Sequence, residues 1–517
     1  MNKVYRILFA LSLVFLLMSC NNSKKETPQG FVYLEGGIFK VDGENFFPLM
    51  LNYRVDYREI GDDIVASPTI YYENVNAYES DDKAELLKQM TAHFELIKSL
   101  GFNSLRIMAD VIREDENGKY YHTPGGNFYL QGKTEKFIES INDVVMLADS
   151  YGLKVMLLLK PAMDEELKNL NIAIFKRFAD NPTIFAYDLM NEPLYFDTDS
   201  NRKKEDADAI VKKWRKLIRK YAPNQLFTIG FSEPIEVFEW DPSLLPVDFV
   251  QIHTYHPLRI PNEIWWYSHY VGKPWMIGET SLPADNDEVS YDLQARFVEQ
   301  AYQYTIDCGG IGFGWWEFQD YINANMNFEA NYPGLLNHEG VTVTNSGREV
   351  IGTMKPAAYE FVKLHQMEPK SPMRPDNYFN MLGYENFVIR GRIMCDKKPV
   401  EGAVIRGWND NWHVGMNTYS DENGKFTLYS NDKNVHFEIS APGLSKVKFD
   451  NYELTYQTVD GGECDFSNLQ NVDLEYQKIS YFPFLANDTM VFEFKPGLFD
   501  KAQFEADLGV IELKKIK

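Results

Sequence analysis

The 517-residue chain carries 52 Lys and Arg against 75 Asp and Glu, a net charge of −23. Nucleic acid and anionic lipid surfaces attract basic patches, so this balance argues against both, disfavours a polyanionic substrate and leaves a neutral partner. The length calls for two or more domains, and 44% hydrophobic with 15% aromatic residues supply a large core.

Met1 to Cys20 reads as lying outside the fold. Lys3 and Arg6 precede an apolar run, Ile7 to Met18, that is too short to cross a membrane. It ends in Leu17-Met18-Ser19-Cys20, which resembles the lipobox of bacterial lipoproteins. The resemblance implies a signal peptide over 1–20 and lipidation of Cys20. It places the protein at the bacterial cell envelope, on the outer membrane through a lipid anchor, with periplasmic and surface orientations both open. Residues 21–30 read as a polar tether. Cys308, Cys395 and Cys464 are too few and too widely spaced for a disulfide framework or a zinc site, and read as buried thiols.

From Phe31 to Met367 short apolar runs alternate with amphipathic stretches. A Gly-bounded hairpin over Gly36 to Gly43 leads to a first strand, Phe46 to Asn52. Asp82 to Leu100 carries Leu86, Met90, Phe94 and Ile97 on one helical face, with Gly101 placed to end it. The pattern continues with strands at Phe102 to Met108, Leu153 to Leu159, Ile184 to Asn191, Leu226 to Phe231, Asp248 to Thr254, Trp275 to Glu279 and Ile311 to Trp316. Helices are expected around Phe137 to Ala148, Leu167 to Ala179, Ala207 to Tyr221, Glu263 to Val271, Glu288 to Asp307 and Met354 to His365, with a weak element between Phe231 and Asp248. Near-continuous apolar strands alternating with helices imply a parallel sheet, and eight such units imply a (β/α)8 TIM barrel, bounded at 31–368.

Glu368 to Pro375 opens a proline-rich linker over 369–383. Beyond it the apolar period drops to two, at Phe387 to Ile393, Val400 to Arg406, Gly424 to Leu428 and Phe437 to Ile439, with Asp507 to Leu513 as a last strand. This predicts a small all-β sandwich over 384–517. The segments Pro399-Val400-Glu401-Gly402-Ala403 and Asp421-Glu422-Asn423-Gly424-Lys425-Phe426 resemble the regulatory-like sandwich appended to carboxypeptidases.

In a barrel of this kind function sits at the carboxyl ends of the strands. Those ends are Asn52-Tyr53, Arg106, Lys160, Asn191-Glu192, Phe231, His253-Thr254-Tyr255, Glu279 and Trp315-Trp316. Pro193 stops the run that delivers Asn191-Glu192, so Glu192 is expected where a strand gives way to a loop. Two acids on one rim suit glycosidic-bond hydrolysis, in which one carboxyl is nucleophile and the other is acid and then base.

This ring resembles glycoside hydrolase clan A, and most of all family five, the cellulase and mannanase family. The resemblance implies Glu279 as nucleophile and Glu192 as acid/base. It implies Arg106, Asn191, His253, Tyr255 and Trp316, or its neighbour Trp315, as substrate-binding residues, and Tyr53 joins them at the end of the first strand. Lys160 departs from the family, which usually has His after strand three. No cofactor and no metal are implied, and His253 with His256 lacks a third ligand nearby. The expected activity is a retaining endo-β-glycosidase on a neutral β-glycan of mannan or glucan type.

Other readings stay open. Arg106 also suits Asp188 as a purely structural partner. Trp265 and Trp266 suit either outer sugar platforms or helix packing, and Trp408 and Trp412 suit a sugar-binding face on the sandwich. An exo-acting enzyme would close a pocket with Ile60 to Ser80 or Ile322 to Thr344, and a glycan-binding protein would keep the barrel without turnover.

Overall fold

The computed structural model describes residues 27–516 apart from 70, 73–74, 77–79, 110–111, 115–119, 123–130, 160–166, 198, 200, 256, 258, 323–327, 376–386, 409–414, 431–435, 450–453, 461–463 and 466–503. Cys20, Lys160, His256 and Trp412 lie outside the described residues, as does most of the expected linker. Among the described residues no helix is long and apolar enough to cross a membrane.

Eight parallel strands close into a barrel, because the eighth pairs back onto the first. They are β1 (Leu49–Ile60), β2 (Ser104–Ala109), β3 (Lys154–Leu158), β4 (Ile184–Asn191), β5 (Leu226–Phe231), β6 (Val250–His253), β7 (Trp275–Glu279) and β8 (Phe313–Trp315). The flanking helices are α1 (Lys83–Ser99), α2 (Thr134–Ser150), α3 (Lys168–Phe178), α4 (Lys204–Tyr221), α5 (Ile260–Tyr270), α6 (Tyr291–Asp307) and α7 (Pro356–Leu364). The weak element between β5 and β6 is a 3-10 turn, Pro234–Phe238. Helix starts follow their caps: the Asp82 carboxylate accepts from Ala84 N–H, and Ser290 Oγ accepts from Leu293 N–H. Gly101, at φ +93°, ends α1 in a conformation that other residues avoid.

The first strand is longer than expected. Its second half leaves the barrel and pairs antiparallel with Asp63–Pro68, so a hairpin stands on the carboxyl rim. At the opposite end, strands Val32–Glu35, Ile38–Val41 and Glu44–Asn45 form a small sheet. It delivers Phe39 into the barrel floor, where the ring meets Phe249 (4.9 Å between centroids) and Phe185 edge-on. Gly30 lies on this floor, with its carbonyl accepting from Lys154 Nζ (2.8 Å) at the start of β3.

The C-terminal region is all-β. One mixed sheet has Phe387–Cys395 at its centre, flanked by Lys425–Ser430 and, in parallel, by Phe504–Glu512. A second, antiparallel sheet runs Gly415–Tyr419, Val404–Trp408, His436–Ser440, Val447–Phe449. Ile389, Ile405, Phe426, Phe437, Ile439 and Ile511 share one apolar core. Cys395 is buried, whereas Cys308 and Cys464 are only half-buried, which corrects the expectation of three buried thiols.

These sheets are joined to the barrel. Trp266 is fully buried at the junction, donating from Nε1 to Gly402 O (2.8 Å) and lying over Tyr419. Lys204 Nζ, also buried, donates to Asp241 (2.9 Å), Ala441 O (3.1 Å) and Leu444 O (2.8 Å), while Asp241 accepts from Gly443 N–H (2.8 Å). Lys204→Ala would leave Asp241 buried without its cation. The expected cost is about 3–5 kcal/mol, read as a lowered urea midpoint. An unchanged midpoint would show that this pair contributes nothing to the junction.

Candidate active site

Arg106, at the middle of β2, has no exposed side-chain surface, and all three of its guanidinium nitrogens have polar partners. Nε and Nη2 meet Asp188 on β4 (2.9 and 2.8 Å), and Nη2 also donates to Asn191 Oδ1 (2.7 Å). Nη1 donates to Asn52 on β1 (3.1 Å) and to Glu279 at the end of β7. Arg106 therefore partners Asp188 and Glu279 at once. Burial alone would lower its pKa, but Asp188 and then Glu279 outweigh that and keep it charged.

Glu279 accepts a second hydrogen bond, from Tyr255. Burial, then the Glu279 charge, pushes the Tyr255 phenol well up, so it stays a donor. His253, from β6, brings Nδ1 to 2.8 Å from Glu192 and 3.5 Å from Glu279. Burial lowers its imidazole to about 4, so the ring is neutral at pH 7. Room for that ring exists because two strand positions are glycine: a Cβ at Gly230 or Gly278 would lie 2.5 or 2.9 Å from its Nε2.

Glu192 follows β4 directly. The β4–β5 register shifts between Asp188 and Asn191, and Glu192 N–H donates to Gly230 O (2.8 Å). Glu192 was expected where a strand gives way to a loop; the strand does end here, but Glu192 takes the left-handed region, φ +39°, and a short helix, Pro193–Phe196, starts at once. That backbone costs on the order of 1–3 kcal/mol. Burial pushes its carboxyl up, Arg106 pulls it down, Glu233 and Asp188 push up, and the net result is about 7. One oxygen of Glu192 and one of Glu279 lie within 4.8 Å of each other.

A cavity of about 280 Å³ opens beside this pair, lined among others by Glu192, Tyr195, His253, Tyr255 and Trp316. Trp316 forms one wall, with the Arg54 guanidinium 4.9 Å from its ring centre, and a cis peptide bond follows it. Three further acids line the cavity: Glu233, Glu263 and Glu329. Arg259 donates to Glu233 (2.9 Å), and burial raises Glu263 to about 8 and Glu329 to about 7. The sequence reading missed all three. Glu233 carried a signal, since Phe231-Ser232-Glu233-Pro234 repeats the apolar-run–Glu–Pro pattern of Glu192.

Of the expected residues Glu192, His253, Tyr255 and Trp316 line the cavity, whereas Arg106, Asn191, Glu279, Tyr53 and Trp315 do not. Tyr53 points into the shell between β1 and α1, where its hydroxyl meets His93 Nδ1 (2.9 Å). Asn52 takes the inward position instead, donating to Gly278 O (2.9 Å) and Trp315 O (3.0 Å). Trp315 is fully buried against Phe297 and Phe361. Trp265 stacks on His269 and Trp408 on His436, and neither lines the cavity. The metal question changes too, because Glu192, His253 and Glu279 together bring three ligand-type atoms within 4.8 Å. Glu279 already shares its charge with Arg106, and His253 Nδ1 is shared with Glu192, so a cation there would displace existing partners.

Residues 70–321 match the family model for cellulase (glycosyl hydrolase family 5), a span that takes in β2 to β8. No curated protein matches the chain. Among solved structures, a GH5_18 protein from Streptomyces cattleya, crystallised with Manb1-4GlcNAc, is 14% identical over 60% of this chain and 80% of its own, with a TM-score of 0.42. An endo-1,4-beta-mannanase from Rhizomucor miehei is 17% identical over 58% of this chain and 96% of its own, with a TM-score of 0.39. Bacteroides uniformis beta-glucuronidase 2 is 12% identical over 81% of this chain, with a TM-score of 0.43, and this chain spans 47% of its length.

The glycine pair offers a direct test of the His253 geometry. Gly230→Ala puts a Cβ where the ring stands. Catalytic turnover is expected to fall roughly 10²-fold, the usual effect of an ångström of misplacement, with the far-ultraviolet dichroism unchanged. Wild-type turnover in this variant would show that the ring position does not matter.

Proposed function

Taking residues 70–321 as a glycosyl hydrolase family 5 domain, we propose that the protein is a retaining endo-β-glycosidase acting on a neutral β-glycan of mannan or glucan type. The observation that carries this reading is the separation of the two carboxyls, whose nearest oxygens lie within 4.8 Å. Retaining enzymes hold the pair about 5–5.5 Å apart, whereas inverting ones leave about 6.5–9.5 Å for a water.

The two acids differ in the way the reaction needs. Glu192, at about 7, carries the proton that goes to the glycosidic oxygen as the C–O bond breaks. A Glu279 oxygen, oriented by Arg106 and Tyr255, bonds to the anomeric carbon in the same step. Water, giving its proton to Glu192, then displaces Glu279 and restores the original anomeric configuration. Asn191 keeps Oδ1 on Arg106, which leaves its amide N–H groups to donate to the 2-hydroxyl. Trp316 offers a face for the ring. The carboxyls around the cavity offer hydrogen-bonding partners to sugar hydroxyls.

An exo-acting enzyme is the second reading, because Glu329 and Ala330, from the loop after β8, line the cavity on one side. Product analysis on mannan, cellulose oligosaccharides and mixed-linkage glucan separates the two: a ladder of products supports endo action and a single short product supports exo action. Products should vanish in Glu279→Gln. Because Glu192 must be protonated, kcat/KM should fall as pH rises through about 7. Binding without products, unaltered in Glu279→Gln, would leave a glycan-binding barrel instead.

We also propose that Cys20 is lipidated and holds the protein to the outer membrane of a bacterial envelope, as the Leu17-Met18-Ser19-Cys20 run supports. Cells fed labelled palmitate should label the wild type, while Cys20→Ser should lose the label and move to the aqueous phase on detergent partition. A labelled Cys20→Ser protein would rule the anchor out.

A further inference from the structure

The short helix after Glu192 begins without help from Glu192 itself, whose side chain makes no capping hydrogen bond. A helix start leaves unpaired N–H groups that need an acceptor. Here a distant carboxylate supplies it. Glu236, on the 3-10 turn Pro234–Phe238, is 1% exposed and accepts from the Leu194 backbone N–H. The same carboxylate accepts from Ser232 N–H (3.2 Å) and Ser232 Oγ (3.1 Å), just past the end of β5. One buried carboxyl thus ties the turn that follows the acid to the end of the next strand. Its cost is visible in its titration, since burial raises it to about 8 against the hydrogen bonds that lower it.

The turn carrying Glu236 is itself backed by the C-terminal sheets. It packs against strands Val404–Trp408 and His436–Ser440. Lys446 holds Glu239 (2.5 Å) and Gly443 holds Asp241, both just beyond the turn. Pro193, Leu194 and Glu236 also face Arg406 and Trp408 across a cavity of about 380 Å³.

We propose that Glu236 is a positioning residue for Glu192: it fixes the Pro193–Phe196 turn, and with it the left-handed backbone that aims the acid, and the C-terminal sheets hold Glu236 in place. Glu236 touches neither the sugar nor the reacting atoms, and the inference rests on Glu192 being the acid/base. Its signature therefore differs from that of a residue needed only for folding. Proton donation matters for a poor leaving group and hardly at all for a good one, and azide replaces water without needing a base.

The test compares wild type, Glu236→Ala and Glu236→Gln on mannan or glucan and on 2,4-dinitrophenyl β-mannobioside or β-cellobioside. For Glu236→Ala, kcat on glycan is expected to fall roughly 10²-fold with KM little changed, while kcat/KM on the dinitrophenyl substrate stays near wild type. Azide should raise its kcat on the dinitrophenyl substrate and yield the glycosyl azide. Glu236→Gln, which keeps one acceptor oxygen and the volume, should recover most of the glycan activity. If Glu236→Ala fails to fold, Glu236→Gln is read by the same pair of substrates, with a smaller loss confined to glycan. Equal losses on both substrates without azide rescue, or no loss at all, would overturn the inference. A wild type inactive on every glycan and aryl glycoside would sink the glycosidase reading first and this one with it.

Discussion

A single buried guanidinium organises the site. Arg106 reaches β1 through Asn52, β4 through Asp188 and Asn191, and β7 through Glu279, so half of the barrel strands meet on one side chain. Removing an ion from water costs several kcal/mol even after relaxation, and only near-complete pairing offsets it. Five planar N–H groups make that pairing possible; a lysine ammonium has three and no fork. Asp188 shares the guanidinium with Glu279, so the same cation holds both side chains in place.

The other carboxyl depends on a different force. Among the described residues no Lys or Arg forms an ion pair with Glu192, and what governs it is removal from water, with Glu233 adding to the effect. Two identical side chains a few ångströms apart thus differ in their surroundings: one sits against a guanidinium and the other is withdrawn from water. Their aim comes from the backbone. The β4–β5 and β6–β7 registers shift next to Asn191 and His253, so both acids emerge at irregularities of the ladder.

Much of this was legible in the sequence. The barrel strands read as apolar runs because both faces are covered, and α1 showed its buried stripe at Leu86, Met90, Phe94 and Ile97. Asn191-Glu192-Pro193 and Gly278-Glu279 stood out because an acid at the end of an apolar run needs a reason. What failed was facing. Asn52 and Tyr53 are neighbours, and so are Trp315 and Trp316; in each pair one points inward and one into the helix shell, and a one-residue shift reverses the choice. Glu236 and Glu263 were invisible for another reason. In a chain with 75 acids, a glutamate at the start of a turn or helix reads as an ordinary solvated residue. Only tertiary burial distinguishes these two. The extension of β1 past Asn52 was missed because its polar residues are satisfied by the rim hairpin, not by the barrel.

The plugged floor gives the molecule a direction. Gly30 is fastened there by Lys154, beside Pro182 and the start of β4, while Glu192 and Glu279 stand at the far ends of the strands. Any load on the chain before Gly30 is therefore taken at the closed pole of the barrel. A protein held at Cys20 would hang from that pole with its mouth turned away from the bilayer toward the aqueous side, and the leash would never have to pass the cavity beside Glu192.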